Sequence, residues 1–250
     1  MGRQISVSEA AERLGVTPHR VRQRIGDGSL LAERVGHRWG IDEADLLPLL
    51  DGGKLGRPFS ERSAWAILDF ADLSPQAQAA FALLAPSERR RTRERWRVIA
   101  DSASDSGNVA EVVRLLSRML ANRAERHVFR VNARDLPDLR GDTRLVLSGL
   151  NDPRAEIAAG DVAEGYVTRA DLAQLIRDYL LTSAVGQSSR QDANVILHAS
   201  SRSVPRPAPL LLIAADLAEH RTPREEFRAV EILHHLTATE QLRHELETDP

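Results

Sequence analysis

The four residues from Gly15 to Pro18 constrain the start of the chain most strongly, because they must end one helix and begin another. Glycine tolerates the positive φ that closes a helix, threonine can cap the next helix, and proline suits its first position. Either Ser6 or Ser8 can cap the preceding helix. Two helices joined by so short a turn must cross steeply, which predicts a helix-turn-helix.

The second helix is predicted to present a polar face. At about 100° per residue, Val21 and Ile25 share one side, which should pack on the first helix. Arginine and glutamine on the other sides can hydrogen-bond guanine and adenine in the major groove of DNA. We expect Arg20, Arg22 and Gln23 to contact bases. The full set of DNA contacts predicted from this helix is Thr17, His19, Arg20, Arg22, Gln23 and Arg24.

A short hairpin is predicted after this helix. Asp27-Gly28 turns the chain, and residues 31–41 form two strands around Gly36-His37. We expect Trp39, on the second strand, to belong to the core. The basic residues near the hairpin tip, Arg34, His37 and Arg38, can reach backbone phosphates or the minor groove. Together with Arg24 of the preceding helix, we assign them to phosphates.

The order of these features matches a known pattern. A helix, a Gly-Val-Thr-Pro turn, a second helix, Asp-Gly and a glycine-containing hairpin follow one another. Residues 5–46 therefore resemble the winged helix-turn-helix of the MerR and excisionase superfamily. The resemblance implies that the chain binds double-stranded DNA as a homodimer on paired half-sites.

Five later segments carry a second resemblance: Gly56–Trp65, Ser148–Pro153, Gly165–Val167, Asn194–His198 and Asp216–Glu219. They are similar to elements of actinobacterial helix-turn-helix proteins that act as antitoxins or local transcriptional regulators. The resemblance implies that residues 59–250 bind a protein partner, a toxin, which the chain covers while it represses its own operon.

Composition narrows the possible functions. The chain has no cysteine, which excludes disulfides, thiol catalysis and thiolate metal sites. A formal net charge of −2 does not fit a general polyanion binder, so any DNA affinity must come from a local patch. Residues 17–40 provide one, with five arginines against two acidic residues. Because we find no signal peptide and no apolar run near ~18 residues, we expect a cytoplasmic protein without a membrane partner.

We expect an α+β chain: an N-terminal winged helix-turn-helix at residues 1–50, a linker at 51–58, a helical segment at 59–126 and a mixed α/β domain at 127–250. In the mixed domain, short apolar runs predict strands at residues 127–131, 144–148, 194–198 and 209–213. Helices are predicted at residues 109–126 and 168–181, and from Thr222 onward.

The segment from Ser87 to Ile99 carries six arginines against Glu88 and Glu94, a net excess of four positive charges. Two interpretations are open. The segment, and in particular residues 89–97, can be a second contact with the DNA backbone. Alternatively, it is a solvated helix face or the docking site of an acidic partner.

The larger part of the chain offers no recognisable catalytic motif. Its histidines lack the spacing that would place metal ligands on one helical face: His198, His220, His234 and His235. Three carboxylates, Asp142, Glu156 and Asp161, could gather as a nuclease cluster, but any charged domain offers as many. A P-loop and a Gly-x-Ser-x-Gly elbow are both lacking. We therefore expect no enzyme activity, no catalytic residue, no metal and no cofactor.

Together these features predict a sequence-specific repressor, in its specific form an autoregulating antitoxin. Two alternatives remain open. The chain could be a stand-alone transcription factor whose α/β domain senses a small molecule, or an excisionase-like architectural DNA-binding protein.

Overall fold

The computed structural model describes residues 4–26, 30, 32–35, 38–43, 46, 58–104, 108–184 and 193–248. The protein is a mixed helix and sheet structure, as the α+β class requires. The chain divides into two compact units. Unit 1 comprises Met1–Arg57 with Ala184–Asp192, and unit 2 comprises Pro58–Ser183 with Ala193–Pro250. Within the described part of the chain, every helix is too short or too polar to cross a lipid bilayer.

Unit 1 combines two helices with a small antiparallel sheet. Its elements are β1 (Gln4–Ser6), α1 (Val7–Leu14), α2 (Pro18–Gly26), β2 (Glu33–Val35) and β3 (Arg38–Asp42). The strand order is β1-β3-β2, and β1 was not expected from the sequence. Apolar side chains from the helices and strands form one core, which includes Ile5, Ala10, Val21, Ile41 and Leu46. The predicted turn at Asp27-Gly28 and residues 51–57 of the predicted linker lie outside the described residues.

Unit 2 contains most of the helices. Those before its sheet are α3 (Glu61–Ala71), α4 (Pro75–Ala82), α5 (Pro86–Ser104) and α6 (Val109–Met119). The later ones are α7 (Leu136–Gly141), α8 (Arg169–Asp178), α9 (Leu210–His220) and α10 (Pro223–Thr248). The strands are β4 (Glu125–Arg130), β5 (Val146–Leu147), β6 (Ala163–Thr168), β7 (Thr182–Ser183) and β8 (Val195–Ser200).

The five strands of unit 2 follow the order β5-β6-β8-β4-β7, with β6 and β8 parallel and the other pairs antiparallel. Strand β8 is buried along its whole length, so both faces of the sheet are covered. Because side chains alternate between faces, Val195 and Leu197 enter an apolar core that Leu175 of α8 completes. The alternate positions of β8, such as His198 and Ser200, are also buried. One covered face of the sheet is therefore polar.

Two secondary-structure predictions are wrong. Residues 209–213 were expected to be a strand, but Leu210 begins α9, whose residues Leu211–Ala218 are all buried. A short leucine-rich run fits a buried helix as well as a strand, since neither shows a polar face. The helix predicted to reach Arg126 ends at Met119, and β4 begins at Glu125.

The predicted helical segment and the predicted mixed domain belong to one compact unit. Direct hydrogen bonds link them. The guanidinium of Arg202, in the predicted mixed domain, donates to the carboxylate of Asp69 in α3 at 2.8 Å. The hydroxyl of Ser117 in α6 donates to the carbonyl of Ala218 in α9 at 3.1 Å. Helices from the first part of unit 2 thus pack against the helix that covers the polar face of the sheet.

Candidate nucleic-acid interface and buried charge network

The turn between α1 and α2 is fixed at both ends by local hydrogen bonds. Ser6, rather than Ser8, caps α1 in a capping box, in which its hydroxyl accepts from the Glu9 amide at 3.2 Å. At the other end Gly15 has φ +62°, the left-handed conformation that glycine tolerates. The amide of Val16 donates to the carbonyl of Ala11 at 3.0 Å, which completes a Schellman motif.

The second helix begins directly after this turn. The hydroxyl of Thr17 accepts from the amide of Arg20 at 3.3 Å, as expected of an N-cap. Val21 is completely buried, and Ile25 packs against the same core, as predicted. Because α2 buries this side, its other sides face away from the core. The exposed residues are Thr17, His19, Arg20, Arg22 and Gln23, whereas Arg24 is half-buried.

Two of the predicted base contacts touch each other. The guanidinium of Arg20 donates to the amide oxygen of Gln23 at 2.7 Å, one helical turn away. The bond holds both side chains side by side on the exposed face of α2.

The predicted hairpin is formed by β2 and β3. Arg34 pairs with Trp39 across the hairpin, and Val35 pairs with Arg38. Trp39 is half-buried and packs on the unit 1 core, as predicted. His37 lies outside the described residues, and the side chains of Arg34 and Arg38 are also outside them. For the predicted phosphate contacts, the structure therefore gives only the strand positions of these two arginines.

Unit 2 contains a network of charged side chains that sequence analysis missed. At its centre is Arg123, whose side chain is only 1% exposed. Its guanidinium lies 2.6 Å from Asp216 Oδ1 and 2.6 Å from Glu219 Oε1. Its Nε also donates to the hydroxyl of Tyr166 at 2.8 Å. Asp216 accepts further bonds from Tyr166, at 2.7 Å, and from Ser148.

The second half of the network is centred on Glu164 of β6, which is 1% exposed. Its two carboxylate oxygens lie 3.3 Å from His198 Nε2 and 2.9 Å from His220 Nε2. The amide of Leu150 donates to the same carboxylate at 2.8 Å. Tyr166 stacks on His198 with ring centroids 4.8 Å apart, which joins the two halves.

The protonation of this network follows from its contacts. Burial alone would raise the pKa of Glu164, but its bonds with His198 and His220 lower that pKa well below the usual range. Burial alone would lower the pKa of His220, but Glu164 raises it above 6.5. Burial also raises the pKa of the Tyr166 phenol well above 10.0, so the phenol stays protonated and donates to Asp216. The network is therefore held by paired opposite charges.

This network is a structural element of unit 2. Arg123, Glu164, His198 and Asp216 are each at most 1% exposed, and hydrogen bonds within the protein occupy their polar atoms. Two further members at the edge of the network, Glu219 and His220, are 19% and 14% exposed. The network ties β6, β8, α9 and the chain before β4 together through charge-assisted hydrogen bonds.

Of the three carboxylates considered for a nuclease site, Asp142 and Glu156 have separate partners. Asp142 is bound by Arg144 at 2.7 Å, and side-chain hydrogen bonds from Arg144 lower the pKa of this carboxyl to about 2. Glu156 pairs with Arg228 at 3.2 Å. Among the described residues, no group of three His, Asp or Glu side chains has the arrangement of a metal site.

One signal in the sequence marks the network. The six residues of β8, Val195–Ser200, include no charged residue, which favours a strand covered on both faces, and His198 and Ser200 share one of those faces. Comparison with known proteins gives no further guide, because no family model, curated protein or solved structure matches the chain.

Proposed function

We propose that the chain is a transcriptional regulator that binds double-stranded DNA through a winged helix-turn-helix in unit 1. The observation that carries the proposal is the orientation of α2. Its apolar side is buried at Val21, and its exposed sides present arginine and glutamine. A second helix held in this way after a tight turn is the element that helix-turn-helix proteins insert into the major groove.

In this proposal α2 reads the bases and the hairpin holds the backbone. Arg20, Arg22 and Gln23 contact base edges, because bidentate pairing of these residue types distinguishes guanine and adenine. The Arg20–Gln23 hydrogen bond supports the assignment, since it places both side chains together before DNA is bound. The remaining basic residues, Arg24, Arg34, His37 and Arg38, are assigned to phosphates. Homodimerisation on paired half-sites is part of the same proposal.

The test begins with selection of sites for the full-length chain from a pool of random DNA duplexes. Gln23→Ala should then lower discrimination at one base pair by about 1–3 kcal/mol, with preferences elsewhere unchanged. The matched control is Gln174→Ala, because Gln174 is an exposed glutamine of α8 in unit 2. Equal loss of affinity for all sequences on Gln23→Ala would refute the base-reading assignment. Failure to select any sequence would refute the sequence-specific function.

We further propose that unit 2 serves a protein partner, and that the chain is an autoregulating antitoxin. Support comes from the five segments that resemble elements of antitoxins or local transcriptional regulators. Four of them lie in unit 2, and the fifth, Gly56–Trp65, ends in α3 of that unit. The test is coexpression with the product of the neighbouring gene. Growth arrest by that product alone, relieved by this chain through a stoichiometric complex, is the expected result. A neighbour that is harmless and does not copurify would refute the antitoxin proposal without affecting the DNA-binding proposal.

One observation favours a small-molecule sensor as the second candidate. A cleft of about 410 Å³ opens beside β5, and its volume is within the range of small-ligand sites. Its lining combines charged side chains, including Arg140, Asp142 and Arg206, with apolar ones such as Val146 and Leu147. A metabolite that raises the melting temperature of the full-length chain and changes its DNA affinity would favour the sensor.

A further inference from the structure

The surface of α5 carries arginines that the fold does not use. We define the basic stripe as Arg90, Arg93 and Arg97, which are all exposed. At about 100° per residue, the three side chains leave the helix within about 60° of one another. The helix is anchored in unit 2 by a different side, where Thr92, Trp96, Ile99 and Ala103 are buried. The stripe therefore points away from the core of unit 2.

Acidic residues near the stripe neutralise little of its charge. Glu88 forms two hydrogen bonds with Arg62, at 2.8 and 3.0 Å. Glu94 lies 3.8 Å from Arg90, but the two side chains are 56% and 75% exposed, so this pair is weak. Asp101 is the third acid of α5, against six arginines in the helix. The helix keeps a positive excess of three, although the whole chain has a net charge of −2.

The arginines of the stripe also lack strong partners. Arg93 lies over the ring of Phe81, with its guanidinium carbon 5.5 Å from the ring centre. Arg97 has no hydrogen-bond or ion-pair partner among the residues that the structure describes. Such uncompensated charges repel one another, and a bound polyanion would relieve the repulsion.

The length of the stripe fits a DNA strand. Seven residues of helix separate Arg90 from Arg97, which corresponds to about 10 Å. One strand of B-DNA presents a phosphate about every 3.4 Å along the duplex axis while it winds around that axis, so a stripe of this length can reach at least two phosphates. Because both units belong to one chain, DNA bound by unit 1 would be present at high effective concentration near unit 2.

We propose that the basic stripe of α5 binds the phosphate backbone of double-stranded DNA, as a second contact without sequence preference. The proposal rests on the DNA-binding function proposed for unit 1. The stripe would add affinity and salt dependence, while α2 supplies discrimination between sequences.

The experiment measures affinity of the full-length chain for a mixed-sequence duplex by fluorescence anisotropy, at several salt concentrations. The double variant Arg90→Gln/Arg97→Gln should weaken binding and make the slope of log K against log salt shallower by about 2, since each phosphate contact contributes about 0.9. Between about 50 and 200 mM salt, wild type should therefore lose about tenfold more affinity than the variant. Arg90→Lys/Arg97→Lys, which keeps the charge, should retain most of the slope.

The matched control is Arg134→Gln/Arg177→Gln. Both arginines are exposed residues of unit 2 outside α5, and neither side chain has a hydrogen bond or ion pair with described residues. This control removes the same charge and should keep the wild-type slope. A shallower slope in the control equal to that of the stripe variant would overturn the proposal, because total charge alone would then explain the effect.

The outcomes separate this inference from the function on which it rests. A stripe variant with the wild-type slope, while Arg20→Ala weakens binding, would overturn the stripe proposal and leave the function of unit 1 standing. A wild-type chain that binds no duplex would overturn both. Binding of poly-L-glutamate that disappears in the stripe variant, with an unchanged DNA slope, would overturn the DNA contact and identify an acidic polypeptide as the partner class.

Discussion

Replacement of Arg123 by methionine should destabilise unit 2 severely. Methionine keeps much of the side-chain volume but removes the charge that lies 2.6 Å from both Asp216 and Glu219. Asp216 is completely buried and Glu219 is 19% exposed, so neither carboxylate regains full hydration. Removing one partner of a buried ion pair costs about 3–5 kcal/mol, because the other charge stays buried and uncompensated.

The assay is guanidinium and thermal unfolding of the full-length chain, followed by far-UV circular dichroism and tryptophan fluorescence. Trp65 is a local probe, because its indole donates to the backbone carbonyl of Arg123. For a unit of this size, a loss of about 3–5 kcal/mol lowers the melting temperature by about 6–20 °C. Natural domains are stable by about 5–15 kcal/mol, so the variant should still fold at low temperature.

Two further variants make the experiment decisive. Arg126→Met removes an arginine that is 37% exposed and lies 3.3 Å from Glu219, and it should cost less than about 1 kcal/mol. Arg123→Lys keeps a charge at the centre and should lie between wild type and Arg123→Met. A loss below about 1 kcal/mol for Arg123→Met would refute the argument, since it would mean that the carboxylates do not depend on this guanidinium.

Three other predictions concern the same unit and use thermal or guanidinium unfolding. The ion pair of Glu164 and His220 should stabilise unit 2 most between about pH 4.5 and 6.5, the usual pKa values of the two groups. Below this range the stabilisation should decline, because the pKa of Glu164 is lowered in the folded state. Above it the stabilisation should decline, because the pKa of His220 is raised in the folded state. The stability difference between wild type and His220→Gln should therefore shrink above pH 6.5, and a constant difference would contradict this. Gly149→Ala should lower the free energy of unfolding by at least about 2 kcal/mol, because Gly149 has φ +51° and the new Cβ would lie 2.2 Å from the Glu164 carboxylate. The control Gly160→Ala should be nearly neutral, because its Cβ would meet nothing within 4 Å. Leu180→Gly should stabilise unit 2 by up to about 1 kcal/mol, because Leu180 has the strained φ of +51° and its side chain is 82% exposed. An equal gain from Leu180→Ala would show that relief of backbone strain is not the cause.

Local signals explain why unit 1 could be largely predicted. The end of α1 at Gly15 and the start of α2 at Thr17 each depend on residues within one helical turn. The buried side of α2 follows from helical periodicity, which indicated Val21 and Ile25. Strand β1 was missed because only three residues form it, and its pairing with β3 is a contact between distant parts of the sequence.

The buried network could not be predicted from spacing. Arg123 and Asp216 are 93 residues apart, and Glu164 and His220 are 56 residues apart. A sequence motif can reveal residues that one helix or loop brings together. The residues of this network come from distant parts of the chain, which the sheet topology brings together. Strand β6 was missed for a related reason: Glu164 and Tyr166 made the segment look polar, although its neighbours bury both side chains.

The separation of Arg123 from its partners also has a consequence for protein synthesis. Arg123 is made 93 residues before Asp216, which at typical translation rates of 5–20 residues per second is a delay of about 5–20 s. Through that interval the nascent chain carries a guanidinium whose carboxylates do not yet exist. Chains that terminate early cannot bury it favourably, so quality-control proteases should remove them. A cell would then accumulate this chain only as finished molecules, without shorter fragments.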